Sequence, residues 1–190
     1  MSNFPHLVHY WNVIHKFKNG DGENAMQQRI NVYQHGQGAM KAFFGLGLYL
    51  AETSLEQPLL DLVYFRVSQI NACAVCLDMH SKDLRFHGES EQRLHVLNAW
   101  REAPFYTDRE RAALAWAEAV TMITEGRVPD ETYDNARKQF SEKELVDLTL
   151  AVVTINGYNR FNIAFRVVAG PYDPSQSTMP RSKNVAVHNN

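Results

Sequence analysis

The 190-residue chain contains only two cysteines, three positions apart in Cys73-Ala74-Val75-Cys76, with His80 four residues further on. Positions i, i+3 and i+7 share one face of a helix. A rise of about 1.5 Å per residue sets the cysteines roughly 4.5 Å apart along the axis, inside the Cα range that a disulfide accepts. They can oxidise to each other. His80 is one turn from Cys76, with Cβ atoms about 5 to 6 Å apart, but two turns or about 10 Å from Cys73. Only Cys76 can use the imidazole directly. Cys73 is expected in the first turn, where unpaired N–H groups and the helix dipole favour a thiolate.

These two activations differ in what they can supply. Lowering a thiol pKa from about 8.5 to about 6.5 raises the thiolate fraction at pH 7 roughly 25-fold, yet a Brønsted coefficient near 0.45 returns about 8-fold of that. Delivering a proton to a departing oxygen or sulfur contributes about 10² to 10⁴. That favours Cys76, the cysteine beside the histidine. Two other readings of the cluster stay open. The cysteines can be inert core residues, or Cys73, Cys76 and His80 can be three metal ligands, although a structural zinc usually needs a fourth from a second cluster that this sequence lacks.

The elements that must hold this cluster read as helices throughout. Apolar residues recur at helical spacing, and no run of four to eight residues alternates as a strand would, so the fold class is all-α. A first helix spans about Gly36 to Glu52, with Met40, Phe43, Phe44 and Gly47 on one face. Gly38 and Gly45 share a face too, which suggests close approach of another backbone or simply a weak helix. A second helix starts near Ser54 or Glu56, has Pro58 in its first turn and runs to Asn71. The third passes through the cysteines and ends near Phe86-His87-Gly88. Ser90 opens a short helix toward Trp100. Thr107-Asp-Arg-Glu110 and Ser141-Glu-Lys-Glu144 are capping boxes, the latter opening a long helix expected to cross the centre of the molecule. Pro129 to Phe140 forms a short segment between them.

Three regions follow: an N-terminal extension packing on the core (1–35), a helical domain (36–170), and a Pro-, Ser- and Asn-rich C-terminal arm or tail (171–190). With 45% hydrophobic and 21% charged residues the composition is that of a globular protein, and a net charge of -2 with a pI near 6.4 offers no basic field. Nucleic acid and membrane are not expected partners. The N-terminus lacks the pattern of a signal peptide, so the expected location is cytoplasmic.

The segment Arg66-Val-Ser-Gln-Ile-Asn-Ala-Cys73-Ala-Val-Cys76-Leu-Asp-Met-His80 resembles the core motif of the alkylhydroperoxidase D-like proteins of the carboxymuconolactone decarboxylase superfamily. Similarity extends from about Gly38 to Arg166, through Thr107 to Val120 and Ile155-Asn-Gly-Tyr-Asn-Arg160. The resemblance implies an all-helical, homo-oligomeric protein. It also implies reduction of organic hydroperoxides or hydrogen peroxide with no metal or organic cofactor, and recycling by a thiol reductant, protein or small molecule. Carried over, Cys76 is the peroxidatic cysteine, Cys73 the resolving one and His80 a proton-relay histidine. The relay acid, usually a glutamate twelve residues before the first cysteine, is here Asp61. Val75 stands where the best-known peroxidase of the family has a histidine.

Asp61 also reads as an ordinary helix carboxylate. Ser68, two turns on, can extend a relay or be a helix-face serine. Asn156, Asn159 and Arg160 can line a pocket or satisfy helix ends. Trp11, Trp100 and Trp116 read as core or subunit contacts. Two alternatives to the peroxidase remain, a lactone decarboxylase using the histidine alone and a non-catalytic redox-sensing scaffold.

Overall fold

The computed structural model describes residues 27–184, so most of the N-terminal extension, including Trp11, lies outside the described residues. Those residues contain nine α-helices and no strand. They are α1 (Val32–His35), α2 (Gln37–Ala51), α3 (Gln57–Ile70), α4 (Ala74–Phe86), α5 (Glu91–Val96), α6 (Asp108–Thr121), α7 (Ile123–Gly126), α8 (Asp130–Gln139) and α9 (Glu142–Phe165).

Helix starts are set by local chemistry. Ser90 caps α5 by accepting from the Arg93 amide, while Thr107 and Ser141 form complete capping boxes with Glu110 and Glu144, satisfying N–H groups that a helix cannot pair internally. Glycine ends α4: Gly88 is left-handed at φ 92°, and the Glu89 amide reaches back to the Leu84 carbonyl.

The helix at the centre is α3, not the long α9. On one side Leu59, Leu60, Val63 and Val67 pack with Trp116, Leu148, Val152 and Ile155, and on the other Leu62 and Phe65 pack with Leu84, Leu97, Trp100 and Leu114. A helix enclosed on both sides needs apolar residues all round. By contrast α9 keeps Val146 and Val153 exposed along one edge. The close approach anticipated at Gly38 and Gly45 is elsewhere: both face open space, and Gly157 of α9 receives the Phe43 ring, where a Cβ would meet Cε1 at 2.3 Å.

Of the arm and the tail that the composition left open, residues 171–184 form an arm lying against the core. The Lys82 ammonium holds the Gly170 and Tyr172 carbonyls, Tyr172 hydroxyl donates to Asp83, and Ser182 is buried with its hydroxyl donating to the Leu55 carbonyl at 2.8 Å. This strap crosses the ends of α3 and α4.

Candidate active site

The turn between α3 and α4 determines where the cysteines point. Ala72 adopts a left-handed conformation at φ 52°; its amide donates to the Gln69 carbonyl and the Cys73 amide to the Ser68 carbonyl. This is the double hydrogen bond of a Schellman cap with alanine in the glycine position, at a cost of about 1 to 2 kcal/mol. Cys73 is consequently the N-cap of α4 and not a first-turn residue, its carbonyl accepting from the Leu77 amide. Cys76 is the third residue of the helix proper. The two sulfurs are bonded to each other, with Cα atoms 5.3 Å apart.

Both cysteines are 1% exposed, but only Cys76 lines the adjoining cavity. This space of about 110 Å³ lies between α2, α3, α4, α9 and the strap, with His80 and Asp61 on its wall and largely apolar surroundings such as Met40, Phe44, Leu60 and Tyr158. The Asn162 side-chain amide, reaching in from α9, donates to the Cys76 sulfur at 3.3 Å.

His80 is buried, and neither ring nitrogen has a hydrogen-bond partner among the described residues. Burial, helped by the positive charge of Arg181, pushes its pKa down to about 3, so the imidazole is neutral at ordinary pH. A carboxylate bonded directly to the ring, as a relay from Asp61 implies, would raise that pKa instead. Asp61 does share the cavity wall, but its carboxylate is taken: Gln57 donates to one oxygen at 2.8 Å and Arg181 of the strap to the other at 2.7 Å. Burial raises the Asp61 pKa, opposed by Arg181 and the Gln57 hydrogen bond.

Ser68 does not continue a relay from Asp61. Its hydroxyl donates to the Tyr64 carbonyl and accepts from the Asn159 amide. Asn159 and Asn156 both accept from Asn71, at 2.8 and 2.9 Å, bracing the turn that ends in Cys73. These two asparagines therefore support the cysteine turn. Two contributors were not picked out from sequence. Asn162 continues the three-residue spacing of Asn156 and Asn159, a signal that was available; Arg181 follows a segment without periodicity and offered none.

Among the described residues, no group of three or more His, Cys, Asp or Glu side chains converges as a metal site. No helix among them is long and apolar enough to cross a membrane.

The sequence profile of the carboxymuconolactone decarboxylase family matches residues 37–119, which run from α2 into α6. The uncharacterized protein YdfG of Bacillus subtilis (strain 168) is 42% identical over 139 residues, covering 73% of this chain and 95% of that protein. A crystal structure of an Agrobacterium tumefaciens protein of unknown function, put forward as the antioxidant defence protein AhpD, superposes with a TM-score of 0.73 at 40% identity, over 76% of this chain and 99% of that one. The debrominase Bmp8 shares the fold, with a TM-score of 0.66 at 20% identity over 87% of each chain.

Proposed function

This chain belongs to the carboxymuconolactone decarboxylase family and has the AhpD-like fold, and we propose that it is a thiol-dependent peroxidase acting on organic hydroperoxides or hydrogen peroxide. The observation that carries this reading is that Cys76, bonded to Cys73, faces an apolar cavity shared with a buried, unpartnered imidazole. In the reduced protein the Cys76 sulfur attacks the terminal peroxide oxygen and the O–O bond breaks. His80, neutral, takes the thiol proton and passes it to the leaving alkoxide or hydroxide. Cys76 becomes a sulfenic acid, and the Cys73 thiol displaces its oxygen as water to form the disulfide. The two electrons lost by the cysteine pair reduce the peroxide. A protein or small-molecule thiol, in a reducing cytoplasmic setting, returns them. Asp61 acts in this scheme through Arg181 and the cavity wall, not by direct hydrogen bonding to His80.

The test is a count of free thiols before and after one equivalent of cumene hydroperoxide. Loss of both, with the bond mapped to Cys73 and Cys76, is expected. Cys76→Ser should abolish the reaction, and Cys73→Ser should stall as a sulfenic or overoxidised Cys76. Unchanged thiols overturn the proposal; lactone turnover would then favour the decarboxylase reading. Bromide release from 2,3,4-tribromopyrrole, the ligand of the Bmp8 complex, without thiol loss to peroxide would favour dehalogenation.

A further inference from the structure

We propose that Asn162 is a catalytic residue of this site, its side-chain amide donating the hydrogen bond that holds the thiolate of Cys76 when the disulfide is open. The inference rests on Cys76 being the reacting sulfur.

Asn162 reaches that sulfur because of where α9 is anchored. Asn156, Asn159 and Asn162 are rungs three residues apart, and the first two clasp Asn71 immediately before the left-handed turn. The third rung meets Cys76 one helical turn beyond that turn, at 3.3 Å. Its main chain is fixed as well, the Asn162 carbonyl accepting from the Val167 amide at 2.9 Å in the cap that ends α9. Asn162 also lines the cavity, so its amide stands beside the path by which a substrate would reach the sulfur.

The surrounding charges make this donor matter. Buried and neutral at rest, His80 offers Cys76 no standing imidazolium before it takes a proton, and the Arg181 guanidinium is committed to Asp61 at 2.7 Å. What remains for a thiolate is the N-terminal end of α4, with its unpaired amides, and the Asn162 side chain. A hydrogen bond to an ionised acceptor is roughly twice as strong as one to a neutral acceptor, so the amide favours thiolate over thiol. The same contact stabilises Cys76 as the leaving thiolate when the disulfide is reduced.

Cys73→Ser leaves Cys76 as the single thiol, and its ionisation can be followed by the ultraviolet absorbance of the thiolate. In that background Asn162→Ala should raise the Cys76 pKa by about one unit, a tenfold loss of thiolate below the pKa. Asn162→Asp, nearly isosteric but anionic, should raise it further. Alkylation by iodoacetamide at pH 7 should slow only about threefold for Asn162→Ala, because the more basic thiolate is intrinsically more nucleophilic. Circular dichroism should be unchanged, since the side chain is half-buried and alanine suits a helix. If both variants leave the pKa within about 0.3 unit of the parent, the assignment is wrong. These readouts need no peroxide: a shifted pKa in a protein that ignores peroxide would sink the peroxidase reading and leave Asn162 in its role.

Discussion

Acid should expose the protonation state of His80. The fold holds this imidazole neutral down to about pH 3 because it is buried beside the charge of Arg181, whereas the unfolded chain takes up the proton near pH 6.5. A base whose folded pKa is depressed supports the fold above the unfolded pKa, and that support is lost as pH falls from 6.5 toward 3. With those two pKa values the loss relative to pH 8 is about 2 kcal/mol at pH 5 and about 3 kcal/mol at pH 4. The measurement is urea denaturation of wild type and His80→Gln at pH 8, 7, 6 and 5. Carboxylates contribute with the opposite sign: burial raises Asp83 to about 6 and Asp61 upward. These contributions are common to both proteins and cancel in the difference. His80→Gln should therefore gain on wild type by about 2 kcal/mol between pH 8 and pH 5, whatever its constant offset. A flat difference would show that the folded His80 titrates as it does in the unfolded chain, and a difference of opposite sign, with wild type gaining toward acid, would show a raised pKa and favour the direct Asp61 relay expected from sequence.

Four further outcomes follow from the same structure. Asp83 accepts from Tyr172 but is held to about 6 by burial, so its ionisation costs stability as pH rises from 3.8 to 6; Asp83→Asn should add about 1 to 3 kcal/mol at pH 8 and much less at pH 4 in denaturant titrations. Arg181→Gln should cost more than Asp61→Asn, about 1 to 3 kcal/mol, because it strands the more deeply buried partner; equal costs would place the pair in solvent. Ala72→Gly should raise stability by up to about 1 kcal/mol by relieving the left-handed alanine, net of the entropy glycine gains on unfolding, and a lowered melting temperature would contradict that conformation. Leu48, Tyr49, Val146 and Val153 leave apolar surface exposed, with Val146 at 68%, and the protein should be a homo-oligomer in light scattering at micromolar concentration; a monomer would contradict this.

What the sequence made legible was chemistry confined to a few consecutive residues. Thr107 with Glu110 and Ser141 with Glu144 are capping boxes in both sequence and structure, and Gly88 ends its helix as glycine commonly does. The turn at Ala72 was hidden because the same cap is built there on alanine, and the cost is borne by packing of the helices on either side and by the asparagine clasp on Asn71. The centrality of α3 was hidden for another reason. Residues of α3 enter both core clusters while those of α9 enter only one, and that difference depends on the helices packed around each, which apolar spacing within one helix does not record. Residues 171–184 lack periodicity because the strap is held by side chain to main chain hydrogen bonds, as at Ser182 and Asn184, which leave no repeat to detect.

The same distinction separates the legible part of the site from the rest. Cys73, Cys76 and His80 were found because their spacing is local, and even there the geometry rested on an uninterrupted helix through all three. The left-handed residue ahead of Cys73 breaks that assumption and makes the pair unequal. Cys73 caps the helix from outside the cavity, while Cys76, inside the first turn, faces it. Two cysteines on one continuous helical face would have had similar access to a substrate, and only the histidine would have distinguished them. Here the backbone itself distinguishes them. The partners that govern ionisation, Arg181 on Asp61 and Asn162 on Cys76, are 120 and 86 residues away in sequence, so their contributions depend on how distant segments pack. Burial is the main cause that lowers the His80 pKa, and no residue spacing encodes burial.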